Sequence, residues 1–228
     1  ASVTSSLGAT CTNTPQPGMD QNLPTFTPLP QKSGTPTGTP TANPWNFENF
    51  GPIACIQVNM DRSILLWNLN GSAGQILFSD QGSSTRIETH FSWSPDGRSI
   101  AFHKSYYNDI YILSVEDRSA INITQTGDAF EMDPAWSPDG QWIAFTYFAS
   151  GQKTRDIAII HPDGTGKIQL TQCDGYCTSP SWSPDGGSIA FSRDNQIWIM
   201  KADGSQPRAL THNAINQTPS WSPDGTRI

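Results

Sequence analysis

From Trp45 onward, short apolar runs alternate with clusters of turn residues, and every run is of strand length rather than helix length. Three stretches repeat one order of runs. Ile-Ala-Phe stands at 100–102, 143–145 and 189–191. A second run follows at 109–113, 156–160 and 196–200, and a short segment then ends in Ile-Thr or Leu-Thr at 123–124, 170–171 and 210–211. The Ile-Ala-Phe runs are apolar on consecutive positions, the pattern of a strand covered on both faces. Alanine keeps one of those faces thin while isoleucine and phenylalanine fill the other. Ahead of the runs, Trp-Ser-Pro-Asp-Gly begins at Trp93, Trp136, Trp182 and Trp221, at intervals of 43, 46 and 39 residues. Serine opens a tight turn, proline presets φ at its second position, and glycine accepts positive φ at the end.

Four strand-length segments in about 40 residues is the period of a propeller blade. The predicted fold is therefore all-β: a β-propeller of four-stranded antiparallel blades. In each blade the strand ending at the tryptophan lies innermost, and the short, more polar fourth strand lies at the outer edge. Residues 50–80 read as a degenerate earlier blade, with strands at 53–58, 63–69 and 75–78. The last repeat stops inside its second strand, so the propeller, residues 46–228, reads as an incomplete part of a six-bladed ring.

The full pattern, x-Pro-x-Trp-Ser-Pro-Asp-Gly-x-x-Ile-Ala-Phe, then Ile-Tyr-Ile, Asp-Gly and Leu-Thr, resembles the WD-repeat-like blades of TolB-type propellers over residues 86–228. The resemblance implies a protein- or peptide-binding module of the periplasm or cell surface. One member of that family binds an envelope lipoprotein near its channel mouth. Similar blades cap prolyl oligopeptidase-type peptidases and occur in bacterial sensor proteins. Two alternatives therefore stand beside a binding module: the propeller of a serine peptidase whose hydrolase domain lies beyond residue 228, and the extracellular region of a signalling protein.

Residues 1–45 differ in kind. They hold eight prolines, ten threonines and only Asp20 and Lys32 as charges. Such a segment buries too little apolar surface to offset its ordering entropy, and its prolines favour extension. It is predicted to be a disordered spacer. The chain opens at Ala1 without an initiator methionine or a signal peptide's apolar core, so either a signal has been removed or the sequence belongs to a longer one. No run approaches the ~18 apolar residues of a membrane span. A net charge of −7 with no basic run argues against nucleic acid.

Cys173 and Cys177 flank Asp-Gly-Tyr, a reversal that brings two sulfurs together. A disulfide, which fits an oxidising compartment, leads over free thiols and a metal site. Cys11 and Cys55 form a second candidate pair.

Both kinds of glycine-containing turn fall on one face of the propeller. The loops before each tryptophan (80–90, 126–133, 172–180 and 212–218) and those within each repeat fall on the other. Binding is expected on that loop face, at Glu88, His90, Asp128, Glu131, Asp133, Asp174 and His212. Carboxylates gathered at a channel mouth suit a basic partner or a divalent cation such as calcium. Glu131 and Asp133 bracket Met132, and strand alternation aims both the same way. No catalytic residue is assigned. The Pro-Asp of each repeat recurs on the turn face instead of converging, and no Gly-x-Ser-x-Gly, His-Glu-x-x-His or phosphate loop is present.

Overall fold

The repeats form separate antiparallel sheets, each covered by its neighbours. The computed structural model describes residues 86–105, 109–213 and 215–228, together with the strand segments β1 (Val3–Thr4), β2 (Thr10–Cys11), β3 (Ile53–Gln57), β4 (Ser63–Trp67) and β5 (Gln75–Ser79). Apart from β1 and β2, the 1–45 segment lies outside the described residues, as do the side chains of Cys11 and Cys55.

β3-β4-β5 form a three-stranded sheet. Three four-stranded blades follow. The first is β6 (Arg86–Trp93), β7 (Ser99–Ser105), β8 (Ile110–Ser114) and β9 (Ala120–Asn122). The second is β10 (Ala129–Trp136), β11 (Ile143–Ala149), β12 (Asp156–Ile160) and β13 (Ile168–Gln169). The third is β14 (Cys177–Trp182), β15 (Ser188–Arg193), β16 (Gln196–Lys201) and β17 (Arg208–Ala209). Each strand pairs with the next in sequence, as a propeller blade requires.

Ile-Ala-Phe divides between two interfaces. Ile100 and Phe102 pack back onto Ile64 and Leu77, whereas Ala101 faces forward into the cluster of Ile143 and Phe145. One blade later, Ala144 faces forward in the same way, onto Ile189 and Phe191. The thin alanine face lets the next blade's phenylalanine approach, so the core is a series of inter-blade layers.

The repeated turns lock these layers. In each Trp-Ser-Pro-Asp-Gly unit the serine hydroxyl donates to the aspartate and accepts the N–H that opens the second strand. Ser94 does this with Asp96 and Ser99, and Ser222 with Asp224 and Arg227. Each proline lies against the following repeat's turn: a Cβ on Gly140 would meet Pro95 at 3.8 Å, and one on Gly186 would meet Pro138 at 3.8 Å. The tryptophan adds a link, since the Trp182 indole N–H donates to the Ala135 carbonyl at 3.2 Å and that of Trp221 to Ser181 at 3.1 Å.

These turns make stability acid-sensitive. The Ser137 hydroxyl and the Gln141 N–H hold the Asp139 carboxyl below its ordinary value of 3.8. Asp185 and Asp224 are lowered by Ser183 and Ser222 in the same way. At Asp96 burial pulls upward and is outweighed by Ser94 and Arg98. A carboxyl depressed in the folded state contributes stability above its unfolded value, and that contribution is lost as pH falls through the folded one. The urea midpoint is expected to hold down to about pH 5 and to drop below pH 4. Asp139→Asn should flatten that acid limb; an unchanged limb would rule out a contribution from this turn.

Candidate functional site

The innermost strands carry proline where a ladder needs an N–H. Pro134 and Pro180 each lie two residues before the tryptophan that ends β10 and β14, and Pro219 is at the same place before Trp221. A proline there cannot donate, so the ladder breaks into a bulge. Register shifts fall between Met132 and Ala135 and between Thr178 and Ser181. The residue before each proline is left-handed: Asp133 at φ 55°, Ser179 at 53° and Thr218 at 52°. His90 stands at the same offset before Trp93.

The bulge turns these residues toward neighbouring blades. His90 Nδ1 lies 3.2 Å from Asp133 Oδ1. Asp133 Oδ2 accepts from the hydroxyls of Thr146 at 3.2 Å and Ser179 at 3.4 Å. Thr146 Oγ1 in turn accepts the Ser179 N–H at 3.1 Å, and Ser192 Oγ accepts that of Thr218 at 3.0 Å. One carboxylate thus ties three consecutive inner strands together at a polar inner rim.

The loop-face placement of several residues needs correction. Glu88, His90, Glu131 and Asp133 belong to β6 and β10, because the inner strands extend through the segments read as loops. The side chain of Glu88 lies outside the described residues. Glu131 and Asp133 do not act as a pair, since the bulge between them breaks the alternation that would aim them alike. Glu131 is fully buried and meets Lys167 Nζ at 2.9 Å and the Thr126 hydroxyl at 2.7 Å. Lys167 reaches it across the Tyr147 ring, 3.8 Å from the centroid. His161 stacks on Trp142 with ring centroids 3.7 Å apart. Asp128 and His212 are exposed on the loop face, and Asp174 pairs with Arg193 at 2.6 Å.

A second repeated device was not foreseen. The buried Asp156, at the start of β12, accepts from the Thr171 hydroxyl and the Cys173 N–H, at 2.9 and 2.7 Å. Asp109 holds Asn122 and Thr126 in the same way, at 2.7 and 3.2 Å, and Gln196 accepts from Thr211. These latches fasten the outer strand and start the crossover to the next blade. Asn122, within an Asn-Ile-Thr sequon, is held by one of them.

The crossover after Asp156 carries the Cys173–Cys177 disulfide. It sets Tyr176 beside Arg155, where a parallel bridge joins the two segments and the Arg155 N–H donates to the Gly175 carbonyl. The Arg155 guanidinium lies 5.2 Å from the Phe148 ring and 5.2 Å from the Tyr176 ring. Phe148 stacks on Phe130 behind it. Opposite, Asp194 and Asn195 form the two-residue β15–β16 turn, both at positive φ (48° and 65°), as a type I′ hairpin requires. Between these walls runs a groove of about 410 Å³, bordered by Arg155, Tyr176, Thr178, Asp194, Asn195 and Gln217.

The rim is not a hydrolytic triad. In a triad the imidazole stands between carboxylate and hydroxyl and takes the hydroxyl proton. Here the carboxylate is in the middle, with His90 and Ser179 both directed at Asp133. Among the described residues no three His, Cys, Asp or Glu side chains are grouped to hold a metal ion, and no helix is long and apolar enough to cross a membrane. The rim and groove present polar groups in fixed positions.

Residues 53–228 match the sequence profile of the TolB beta propeller domain. Among solved structures, the putative TolB of Agrobacterium tumefaciens is 23% identical with a TM-score of 0.63, covering 76% of this chain and 66% of its own. The TolB of Acinetobacter baumannii is also 23% identical, at 0.61, covering 77% of this chain and 44% of its own. The oligogalacturonate lyase of Vibrio parahaemolyticus is 13% identical, at 0.57, covering 76% and 53%. The chain thus spans less than two thirds of each of these proteins, and the likenesses are of fold. No curated protein sequence matches.

Proposed function

The chain belongs to the TolB β-propeller family, and we propose that its inner rim and loop face bind a protein or peptide partner outside the cytoplasm, without catalysis. The observation that carries this reading is the rim. Three left-handed, non-glycine residues, Asp133, Ser179 and Thr218, recur at one position of successive blades. Each such conformation costs on the order of 1–3 kcal/mol and persists only where the surroundings enforce it. A rim held this way binds without paying again for ordering. The disulfide supports an oxidising location. Membership of the TolB-type propellers, one of which binds an envelope lipoprotein, agrees with a binding role.

The test is capture of envelope proteins on the immobilised chain, compared with an Asp133→Ala, Ser179→Ala double variant. Capture by the unaltered chain and at least tenfold weaker binding by the variant, with its near-UV spectrum unchanged, is the expected result. Equal capture by both would move the site away from the rim. Capture by neither would remove the binding role.

A further inference from the structure

We propose that the groove beside Tyr176 is a carboxylate subsite for a peptide, with Arg155 as the group that receives the carboxylate. The proposal rests on the loop face being a peptide-binding surface and names the chemistry of one part of it.

Arg155 lines the groove, whereas Arg193, on β15, does not, and the two differ in their partners. Arg193 lies over the Trp198 ring at 4.7 Å and pairs with Asp174 at 2.6 Å. Arg155 is held by two rings, Phe148 and Tyr176, and among the described residues no carboxylate lies within ion-pair distance of it. The nearest acid on the groove wall, Asp194, is already engaged, with Oδ1 accepting the Tyr176 N–H at 3.0 Å. With the two rings 5.2 Å from its centre and no carboxylate partner among the described residues, the guanidinium offers a planar fork of donors that a carboxylate meets bidentately.

The rest of the wall suits a peptide. Tyr176 is 54% exposed and offers a flat apolar face to a side-chain stem. The amides of Asn195 and Gln217, themselves joined at 2.6 Å, offer both donors and acceptors to main-chain groups. The groove has the volume of an ordinary small-ligand site, roughly a few residues of extended peptide. Its walls are set before any ligand arrives: Tyr176 by the disulfide and the Arg155 bridge, Asp194 and Asn195 by the hairpin turn. The chain as a whole carries a net charge of −7. Long-range attraction therefore does not gather acidic ligands here, and recognition depends on the local guanidinium.

Three probes separate the two sources of a peptide carboxylate. Acetyl-Ala-Glu-Ala-amide carries it on a side chain, acetyl-Ala-Gln-Ala with a free C-terminus carries it at the chain end, and acetyl-Ala-Gln-Ala-amide has none. Each is titrated into the full chain and followed by amide chemical-shift changes. At least one carboxylate peptide is expected to saturate at least tenfold more tightly than the amide control, with shifts centred on Tyr176 and Asn195, and whichever does so identifies the source. Arg155→Gln should reduce it to the level of the control. Arg155→Lys, which keeps the charge without the planar fork, should fall between. Arg193→Gln, which leaves Arg155 in place, should bind as the unaltered chain does. Equal binding of all three peptides, or a carboxylate preference that survives Arg155→Gln, would overturn the subsite while leaving the loop face a peptide-binding surface. Absence of binding by all three overturns it as well, and the envelope-capture experiment then decides independently whether the wider role stands.

Discussion

Lys167→Met is expected to destabilise the chain by ~3 kcal/mol, as removal of one partner from a buried ion pair does. Glu131 is fully buried and Lys167 is the one cation paired with it among the described residues. The remaining contact of Glu131, the Thr126 hydroxyl, donates a single hydrogen bond and cannot replace a charge. Without Lys167 the buried carboxylate is left without its charge partner. Methionine keeps the length of the side chain but not the ammonium over the Tyr147 ring, so the single loss includes that cation–π contact and the double-variant comparison isolates the pair with Glu131. The check is urea unfolding of Lys167→Met, Glu131→Leu and the double variant. The double variant should recover much of the loss, because an apolar pair of similar size is often as stable as the buried ion pair it replaces. If the single losses simply add, the two side chains do not interact in solution.

Gly164→Ala is expected to cost about as much, ~3 kcal/mol, by a different mechanism. Gly164 has φ +84°, where an L side chain adds roughly 1–2 kcal/mol. Its Cβ would also stand 2.7 Å from the Ile123 carbonyl oxygen, which is backbone and cannot swing aside. Gly204 repeats the arrangement one blade on, at φ +83° and 2.8 Å from the Leu170 carbonyl. Gly97 provides the control: its φ is +69°, and nothing lies within 4 Å of its added Cβ. Gly97→Ala should therefore show the backbone part alone. Thermal unfolding of the two variants side by side measures the difference; matching shifts would mean that the turn and the preceding blade do not touch.

The blades were legible because each strand is spelled out in several copies, and the copies agree on where apolar runs begin and end. Ile-Ala-Phe also announced a thin alanine face opposite a filled one. The site was less legible, for three physical reasons. Strand alternation alone aims Glu131 and Asp133 alike, and the bulge at Pro134 breaks that alternation. Ser179 and Thr218 share the rim position with Asp133, but their hydroxyls carry no charge to draw notice; the only signal was a residue preceding proline at a fixed offset from tryptophan. Arg155 and Tyr176 meet through a parallel bridge between two blades. Lys167 reaches Glu131 from 36 positions away. The first contact depends on how one blade is set against the next, and the second on a side chain spanning the strands of its own blade; the order of apolar runs encodes neither.

The nesting of Pro95 on Gly140, Pro138 on Gly186 and Pro184 on Gly225 has a consequence for descent. At each of these three junctions a proline lies against the following repeat's turn glycine, so a copied repeat arrives with that contact already matched on both sides. A duplication of about 40 residues with both ends in the same turn would insert a whole blade without requiring a new interface. Changes in blade number are therefore easier for this lineage to reach than changes within a blade. The rim, which is built across such junctions, would gain or lose one residue at each event.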